Sequence, residues 1–392
     1  MQLSERVQKI AASQSLVMAA RAKQMKAEGI DVISMSLGEP DFDTPEHIRR
    51  AAQEAIDHHW SHYGPVPGIP ALREAVAAHQ NTLSPITNHQ SPITFTGEDV
   101  IVSVGAKMAI YNTIQAVINP GDEVIIPMPA WVSYTEMVKI AEGRVVPVET
   151  RLEDNYCLTP AQLKAALNEK TRMLLLCSPN NPTGSVYSYE QLSELVAVLR
   201  DYPDVVVLAD EVYNALTYGC QAPSLASFPE LAERLIIINA VSKAYAMTGY
   251  RIGWLLSKNQ AFIKACTRLQ GQQLTCATMV AQKAAEAALT GPQDCVEAMR
   301  QVFAERRELI CRLAAEIQGW KFKEPQGAFY LFPDVSAVGS GDEVAERLLD
   351  KAHVAVVSGS AFGCPQCIRL SYAISTEEII EAMRRIKEIS RQ

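Results

Sequence analysis

Short apolar runs recur through the middle of the chain: "DVIVSVG", "DEVIIPMP", "GRVVPVE", "RMLLLCSP", "VVVLADE" and "RLIIINAVS". They are rich in β-branched residues, and many end in Gly, Pro, Asn or Asp, the pattern of strands buried on both faces. Helical stretches such as "MAIYNTIQAVI" and "YEQLSELVAVLRDY" separate several of them. This alternation predicts an α/β layer fold with a mostly parallel sheet flanked by helices. The last third differs. Long helical stretches, "MVAQKAAEAALT" and "CVEAMRQVFAERRELICRLAAEI", give way to "GAFYLFPDV", "HVAVVSG" and "IRLSYA" with helices between and after, which predicts a smaller α+β domain. There is no internal repeat or low-complexity tract.

With 392 residues, 48% of them hydrophobic and 20% charged, the chain has enough material for a large core and more than one domain. A net charge of −8 gives no electrostatic footprint for nucleic acid or an anionic membrane. The N-terminal "MQLSERVQKIAASQSLVMAARAKQMKAEG" carries acidic residues and no continuous apolar core, so no signal or transit peptide is expected. No apolar run approaches the length of a membrane span, and a soluble cytoplasmic protein is the expectation. Nine scattered cysteines suit a reducing compartment. Cys364 and Cys367 form "CPQC", but ahead of a strand, whereas a redox pair opens a helix after one; no second CxxC completes a zinc site. His58, His59 and His62 fall where a helix beginning near Pro45 should end, where histidines complement the helix dipole. No metal centre is expected.

In open α/β sheets, ligands sit beyond the carboxyl ends of the strands. After "RMLLLC" comes "SPNNPTG" with Asn181 and Gly184; after "VVVLA" comes "DEVYN" with Asp210 and Tyr213; after "LIIIN" come Ser242 and Lys243, with Arg251 eight residues further on. Each is ordinary alone, since an aspartate can cap a helix and "NNPTG" can be a turn. Together they bring an amide, a carboxylate and a primary amine to one sheet edge. Those groups meet the needs of pyridoxal 5′-phosphate: a lysine for a Schiff base, and an acid to keep the pyridine nitrogen protonated. Ser242, Arg251 and the glycine turn opening a helix in "SVGAKMAIYN" supply phosphate donors. No GxxxxGK[ST] occurs, and no GxGxxG follows a strand.

Over nearly its whole length the chain resembles the fold-type I pyridoxal-phosphate aminotransferases of class I/II, close to the prokaryotic aspartate aminotransferases. The likeness runs through "SLGEPDFDTP", "YGPVPGIPALREA", "WVSYTEMV", "SPNNPTG", "DEVY", "SKAYAMTGYRIG" and "IRLSYA", in that order. The resemblance implies a large domain over residues 45–289, with a mostly parallel seven-stranded sheet, and a small domain from 1–44 and 290–392. It also implies roles. Lys243 is the Schiff-base lysine and proton shuttle, and Asp210 the partner of the pyridine nitrogen. Asn181 and Tyr213 hold the ring's phenolic oxygen, and Trp131 stacks on the ring. Gly105, Ala106 and Lys107 open a helix whose backbone N–H groups bind phosphate, helped by Ser242 and Arg251. Tyr63 reaches the phosphate of a neighbouring subunit, implying a homodimer with shared sites. Arg369 clamps the substrate α-carboxylate, with Gly38, Trp131 and Asn181 beside it and Lys107 receiving a distal carboxylate. The segment around Ser13 to Leu16 contributes to the substrate pocket.

Two positions depart from the family pattern. Ala240 stands where several relatives have a second phosphate-binding serine, and Tyr250 replaces the usual tryptophan of "MTGWRIG". The implied activity is ping-pong transfer of an amino group from an amino acid, aspartate above all, to 2-oxoglutarate. Other aromatic, aliphatic or prephenate-type substrates, or a β-lyase reaction on the same fold, stand as alternatives, because fold does not fix reaction outcome. A regulator that has kept the fold would carry an extra DNA-binding domain, which the acidic net charge gives no reason to expect.

Overall fold

The six apolar runs form six strands of one sheet: β1 (Val100–Ser103), β2 (Glu123–Met128), β3 (Arg144–Glu149), β4 (Thr171–Cys177), β5 (Val206–Asp210) and β6 (Leu235–Ala240). A seventh, β7 (Gly253–Leu256), completes it in the order β1-β7-β6-β5-β4-β2-β3. The computed structural model of the chain describes residues 1–8, 10, 11, 14–83 and 92–390. Strand β7 is antiparallel to both its neighbours, and the remaining pairs are parallel. It was not among the apolar runs because it is short and opens on glycine directly after the "TGYRI" loop. The glycine has a steric reason: a Cβ on Gly253 would lie 2.4 Å from the Ala106 nitrogen and 3.0 Å from the Asn239 carbonyl. Close approach of β7 to the helix behind β1 depends on its absence.

Side chains along the strands divide between the two layers of the sheet's core. Leu174, Leu176, Val207, Ala209 and Ile237 pack on one side of the sheet, and Met173, Leu175, Leu208, Ile236 and Ile238 on the other. Helices cover both faces of the interior strands, which is why these are continuous apolar runs with no polar alternation. The edge strand β3, expected to be buried on both faces, instead has no fully buried residue because it has a neighbour on one side only. In register, Cys177 pairs with Asp210 and Asp210 with Ile238. Gly253 pairs with both Ala240 and Ser103. The carboxyl ends of β1, β4, β5 and β6 therefore lie along one edge.

The remainder builds a second core around Phe303, Phe329, Leu370 and Ile379. It holds an antiparallel three-stranded sheet of Tyr330–Leu331, Val357–Ser358 and Ile368–Ser371. Helices Asp294–Ala314, Gly341–Ala352 and Thr376–Ile389 belong to it. The last two open on reciprocal capping boxes, Ser340 with Glu343 and Ser375 with Glu378, each cap worth about 1 kcal/mol. Ile33–Ser34 pairs in parallel with Val354–Ala355, so the beginning of the chain is stitched into its last third.

Two side features settle locally. Helix Glu46–Asp57 ends at His58, whose Nδ1 lies 2.8 Å from the Glu54 carbonyl. Cys364 and Cys367 are buried with their sulfurs 3.2 Å apart, in the turn that leads into Ile368–Ser371. No helix among the described residues is long and apolar enough to cross a membrane.

Candidate active site

A cavity of about 530 Å³ opens at the carboxyl edge of the sheet, between it and the second core. Lys243 enters from the short helix Val241–Ala244 that follows β6 directly. Its amine donates to the Gly38 carbonyl. Loss of hydration pushes the amine down to about 8, with the positive charges of Arg369 and Arg251 acting the same way against Glu39 and Asp210. Asp210, the last residue of β5, is buried at 3% exposure. Its Oδ2 accepts from the Tyr134 hydroxyl at 2.6 Å and its Oδ1 from the Val212 N–H at 3.2 Å. Burial nevertheless outweighs those bonds and the Lys243 charge, and raises the carboxyl to about 6.

One end of the cavity is built to hold an anion. Helix Gly105–Val117 starts there with Gly105 at φ +75°, and a Cβ on that glycine would sit 2.6 Å from Arg251 Nη2. The guanidinium thus lies over the free N–H groups of a helix start. Arg251 is itself in the left-handed region at φ 57°, a conformation costing a non-glycine residue about 1–3 kcal/mol. Its Nη1 donates to the Thr248 carbonyl at 2.8 Å. Ser242 lines the same end. Lys107 extends its ammonium over the Trp131 ring, 4.8 Å from the centroid. Burial, then Arg251, lowers its pKa.

The other end is Arg369, carried by Ile368–Ser371 and 2% exposed. Nη1 donates to Asn181 Oδ1 at 2.9 Å and Nη2 to the Ser36 carbonyl at 2.7 Å, whereas the buried Nε has no partner among the described residues. The guanidinium lies over the rings of Tyr330 (4.5 Å) and Phe362 (4.9 Å). Tyr330 also shares a 2.8 Å hydrogen bond with Tyr213. A Cβ on Gly38 would reach to 2.7 Å from the Tyr330 hydroxyl, so glycine is needed where this strap passes the site.

The strap, residues 36–45, is tied to both cores. Arg306 grips Asp41 with Nη1 at 2.7 Å and Nη2 at 2.9 Å. Phe42 packs edge-on against Phe303 at 5.3 Å. On the sheet side, Thr44 donates to the Ala246 carbonyl at 2.7 Å and Thr248 to Glu39 at 2.9 Å. Four cations, Lys107, Lys243, Arg251 and Arg369, face two carboxylates, Asp210 and Glu39, among the described residues of the lining. The surplus favours ligands with several negative charges.

Of the residues singled out in the sequence, Gly38, Ala106, Lys107, Trp131, Asn181, Asp210, Tyr213, Ser242, Lys243, Arg251 and Arg369 converge on this cavity. Gly105 joins them through its backbone. Tyr63 does not: it is 89% exposed and outside the lining. Ser13 lies outside the described residues. Sequence reasoning missed Tyr134, Tyr330, Glu39 and Thr248. Tyr134 had one available signal, its i+3 spacing from Trp131 at the start of helix Val132–Ile140, which puts both on one side of the helix.

The family model of aminotransferase class I and II matches residues 30–386. The chain belongs to the class I and II aminotransferases. It is 42% identical over 392 residues to an aspartate aminotransferase of Bacillus sp. (strain YM-2), covering 98% of both chains. It is 40% identical over 403 residues to an aspartate/prephenate aminotransferase of Nitrosomonas europaea, covering 99% of this chain and all of that one. Among solved structures, an aspartate aminotransferase from Rhizobium meliloti superposes with a TM-score of 0.95 at 37% identity, covering 100% of this chain and 99% of that one. One from Thermus thermophilus with maleate gives 0.93 at 38%, covering 99% and 100%. The fold expected of the family is the fold found.

As a class I and II aminotransferase, the protein depends on pyridoxal 5′-phosphate. The donor set fits that group. The Gly105 cradle under Arg251 suits a phosphate, the amine at the end of β6 suits an aldehyde, and the buried carboxylate at the end of β5 suits a protonated ring nitrogen. The unpartnered Arg369 Nε suits a carboxylate, because a buried guanidinium N–H left unpaired costs free energy until an acceptor arrives.

Proposed function

We propose that this aminotransferase transfers the amino group of L-aspartate to 2-oxoglutarate, with each residue of the cavity in the role its place suggests. What carries the aspartate reading is the placement of cations for a dicarboxylate: Arg369 with its free Nε, and Lys107 over Trp131 in the same cavity. Relatives at about this identity are named aspartate aminotransferases, and the Thermus thermophilus structure holds maleate, itself a dicarboxylate.

The bound cofactor supplies the electron sink that makes the substrate Cα–H acidic. Lys243 Nζ, whose burial favours the neutral amine, would take the Cα proton and return it. Asp210, ionised above about 6, keeps the ring nitrogen protonated. Trp131 and the phosphate cradle of Gly105, Ala106, Ser242 and Arg251 would orient the ring, and Asn181 and Tyr213, which line the same cavity, would hold its phenolic oxygen. Arg369, steadied by Asn181 and the Ser36 carbonyl, orients the α-carboxylate.

The exposed Tyr63 supports a homodimer in which that phenol completes the partner's site. The separate core around Phe303 and Leu370 supports a division into residues 45–289 and 1–44 with 290–392, with Tyr213, Leu216 and Tyr218 of the first part packed into it. The absence of a membrane-crossing helix among the described residues is compatible with a cytoplasmic protein. The test of substrate choice is Lys107→Ser. It should lower kcat/KM for aspartate far more than for alanine or phenylalanine, by about tenfold or more. Equal losses for all donors would assign the lysine to the cofactor alone.

A further inference from the structure

Tyr134 touches two residues proposed to hold the cofactor, Asp210 at its ring nitrogen and Trp131 over its ring. Its hydroxyl donates to Asp210 Oδ2 at 2.6 Å, a short bond of the charge-assisted kind. Its ring meets Trp131 edge to face, with centroids 5.3 Å apart. The side chain is 1% exposed and held on helix Val132–Ile140, so it has little freedom to do otherwise. We propose that Tyr134 is a positioning residue of the cofactor site, its hydroxyl turning and holding the Asp210 carboxylate ionised while its ring edge sets the tilt of Trp131.

The physical case rests on how poorly Asp210 is otherwise supported. A carboxylate this buried needs several donors to stay charged. Asp210 has the Val212 N–H on Oδ1 at 3.2 Å, a long bond, and Tyr134 on Oδ2. The titratable groups facing it are Tyr134 from the helix, Cys177 from β4, Lys243 from the helix after β6 and the adjacent Glu211. Glu211 beside it is a like charge, and Lys243 donates to the Gly38 carbonyl and not to this carboxylate. Tyr134 is then the one donating side chain left among these. Burial and the Asp210 charge push its own ionisation well above the ordinary phenol range, so it stays a donor at any working pH.

The inference deepens the proposed function and rests on Asp210 being the ring-nitrogen partner. The test uses Tyr134→Phe, which keeps the ring and its contact with Trp131 and removes the hydroxyl alone. In cofactor-free protein carrying ¹³C-labelled aspartate, with Asp210→Asn to assign the signal, the Asp210 titration midpoint should rise by about one pH unit or more. The dissociation constant for pyridoxal 5′-phosphate, by equilibrium dialysis at neutral pH, should rise by about tenfold. An unchanged midpoint with unchanged affinity overturns the inference. Asp210→Asn separates the two claims. If removing the charge itself leaves cofactor affinity intact, the reading of Asp210 fails; if it weakens binding and Tyr134→Phe does not, the role of Tyr134 fails. A second measurement needs no change at the tyrosine. In the unaltered protein the Tyr134 ¹³Cζ shift should follow the Asp210 titration with the same midpoint, and a signal indifferent to that titration also overturns the inference.

Discussion

Arg369 and Asn181 are joined by a 2.9 Å hydrogen bond from Nη1 to Oδ1, linking the strand of the second core to the loop after β4. With Nη2 held by the Ser36 carbonyl at 2.7 Å, the guanidinium plane is fixed before any substrate arrives, and Nε remains to be satisfied. Preorganisation of this kind lowers the cost of binding a planar carboxylate.

Arg369→Lys should therefore do much more damage than its conserved charge suggests. An ammonium cannot bond Asn181, the Ser36 carbonyl and both oxygens of a carboxylate in one plane. We expect kcat/KM for aspartate to fall by roughly 10²-fold or more, with the cofactor absorbance unchanged. Steady-state kinetics beside an absorption spectrum of the loaded variant would check both halves.

Lys243 should announce its environment in the absence of cofactor. Competitive acylation of the cofactor-free protein, read by peptide mass, should give a reactivity midpoint near 8 for this lysine, against the ordinary 10.5. A midpoint near the ordinary value would place the amine in water. The same shift has a consequence for stability. Between about 8 and 10.5 the unfolded chain binds more protons at this residue than the folded one. The contribution of Lys243 to cofactor-free stability should accordingly improve as pH rises through that window, and Lys243→Met should flatten the trend.

The strap over the site should depend on Arg306. Its two bonds to Asp41 and its position over the rings of Phe42 (5.3 Å) and Phe303 (5.8 Å) anchor residues 36–45 to helix Asp294–Ala314. Arg306→Ala should cost about 1–3 kcal/mol in denaturant unfolding. It should also raise KM for aspartate, because Gly38 and Ser36 lose their fixed positions. A change in stability with KM untouched would confine the pair to a structural role.

Tyr63 gives the assembly claim its handle. Sedimentation at assay concentration should show a dimer, and Tyr63→Phe should weaken cofactor retention by about tenfold, the worth of one hydrogen bond to a charged phosphate. A fully active monomer would remove the claim.

Much of the sheet was legible because its interior strands are buried on both faces, which writes each as an unbroken apolar run; the exposed edge strand β3 was legible from its valines alone. Asp210 and Lys243 were legible because each closely follows an interior apolar run, at the carboxyl edge where ligands of an open α/β sheet sit. Strand β7 was not, since its four residues begin with a glycine whose purpose is a contact with Ala106, remote in sequence. The pairing of Ile33–Ser34 with Val354–Ala355 is likewise a contact no local pattern announces. Arg369 and Trp131 were placed through the family resemblance and not through periodicity. Tyr134 and Tyr330 escaped because a buried tyrosine on a helix or strand looks like core until its hydroxyl partner is seen.

The central claim is that the amine of Lys243 is the one that holds the cofactor. Borohydride reduction of the loaded enzyme followed by peptide mass analysis tests it most directly. The expected result is a single reduced pyridoxyl adduct on Lys243, absent from Lys243→Ala, which should still fold and bind cofactor reversibly while turnover falls by roughly 10³-fold or more. An adduct on another lysine, or a Lys243→Ala variant that keeps near-normal turnover with a reducible linkage, would contradict the account.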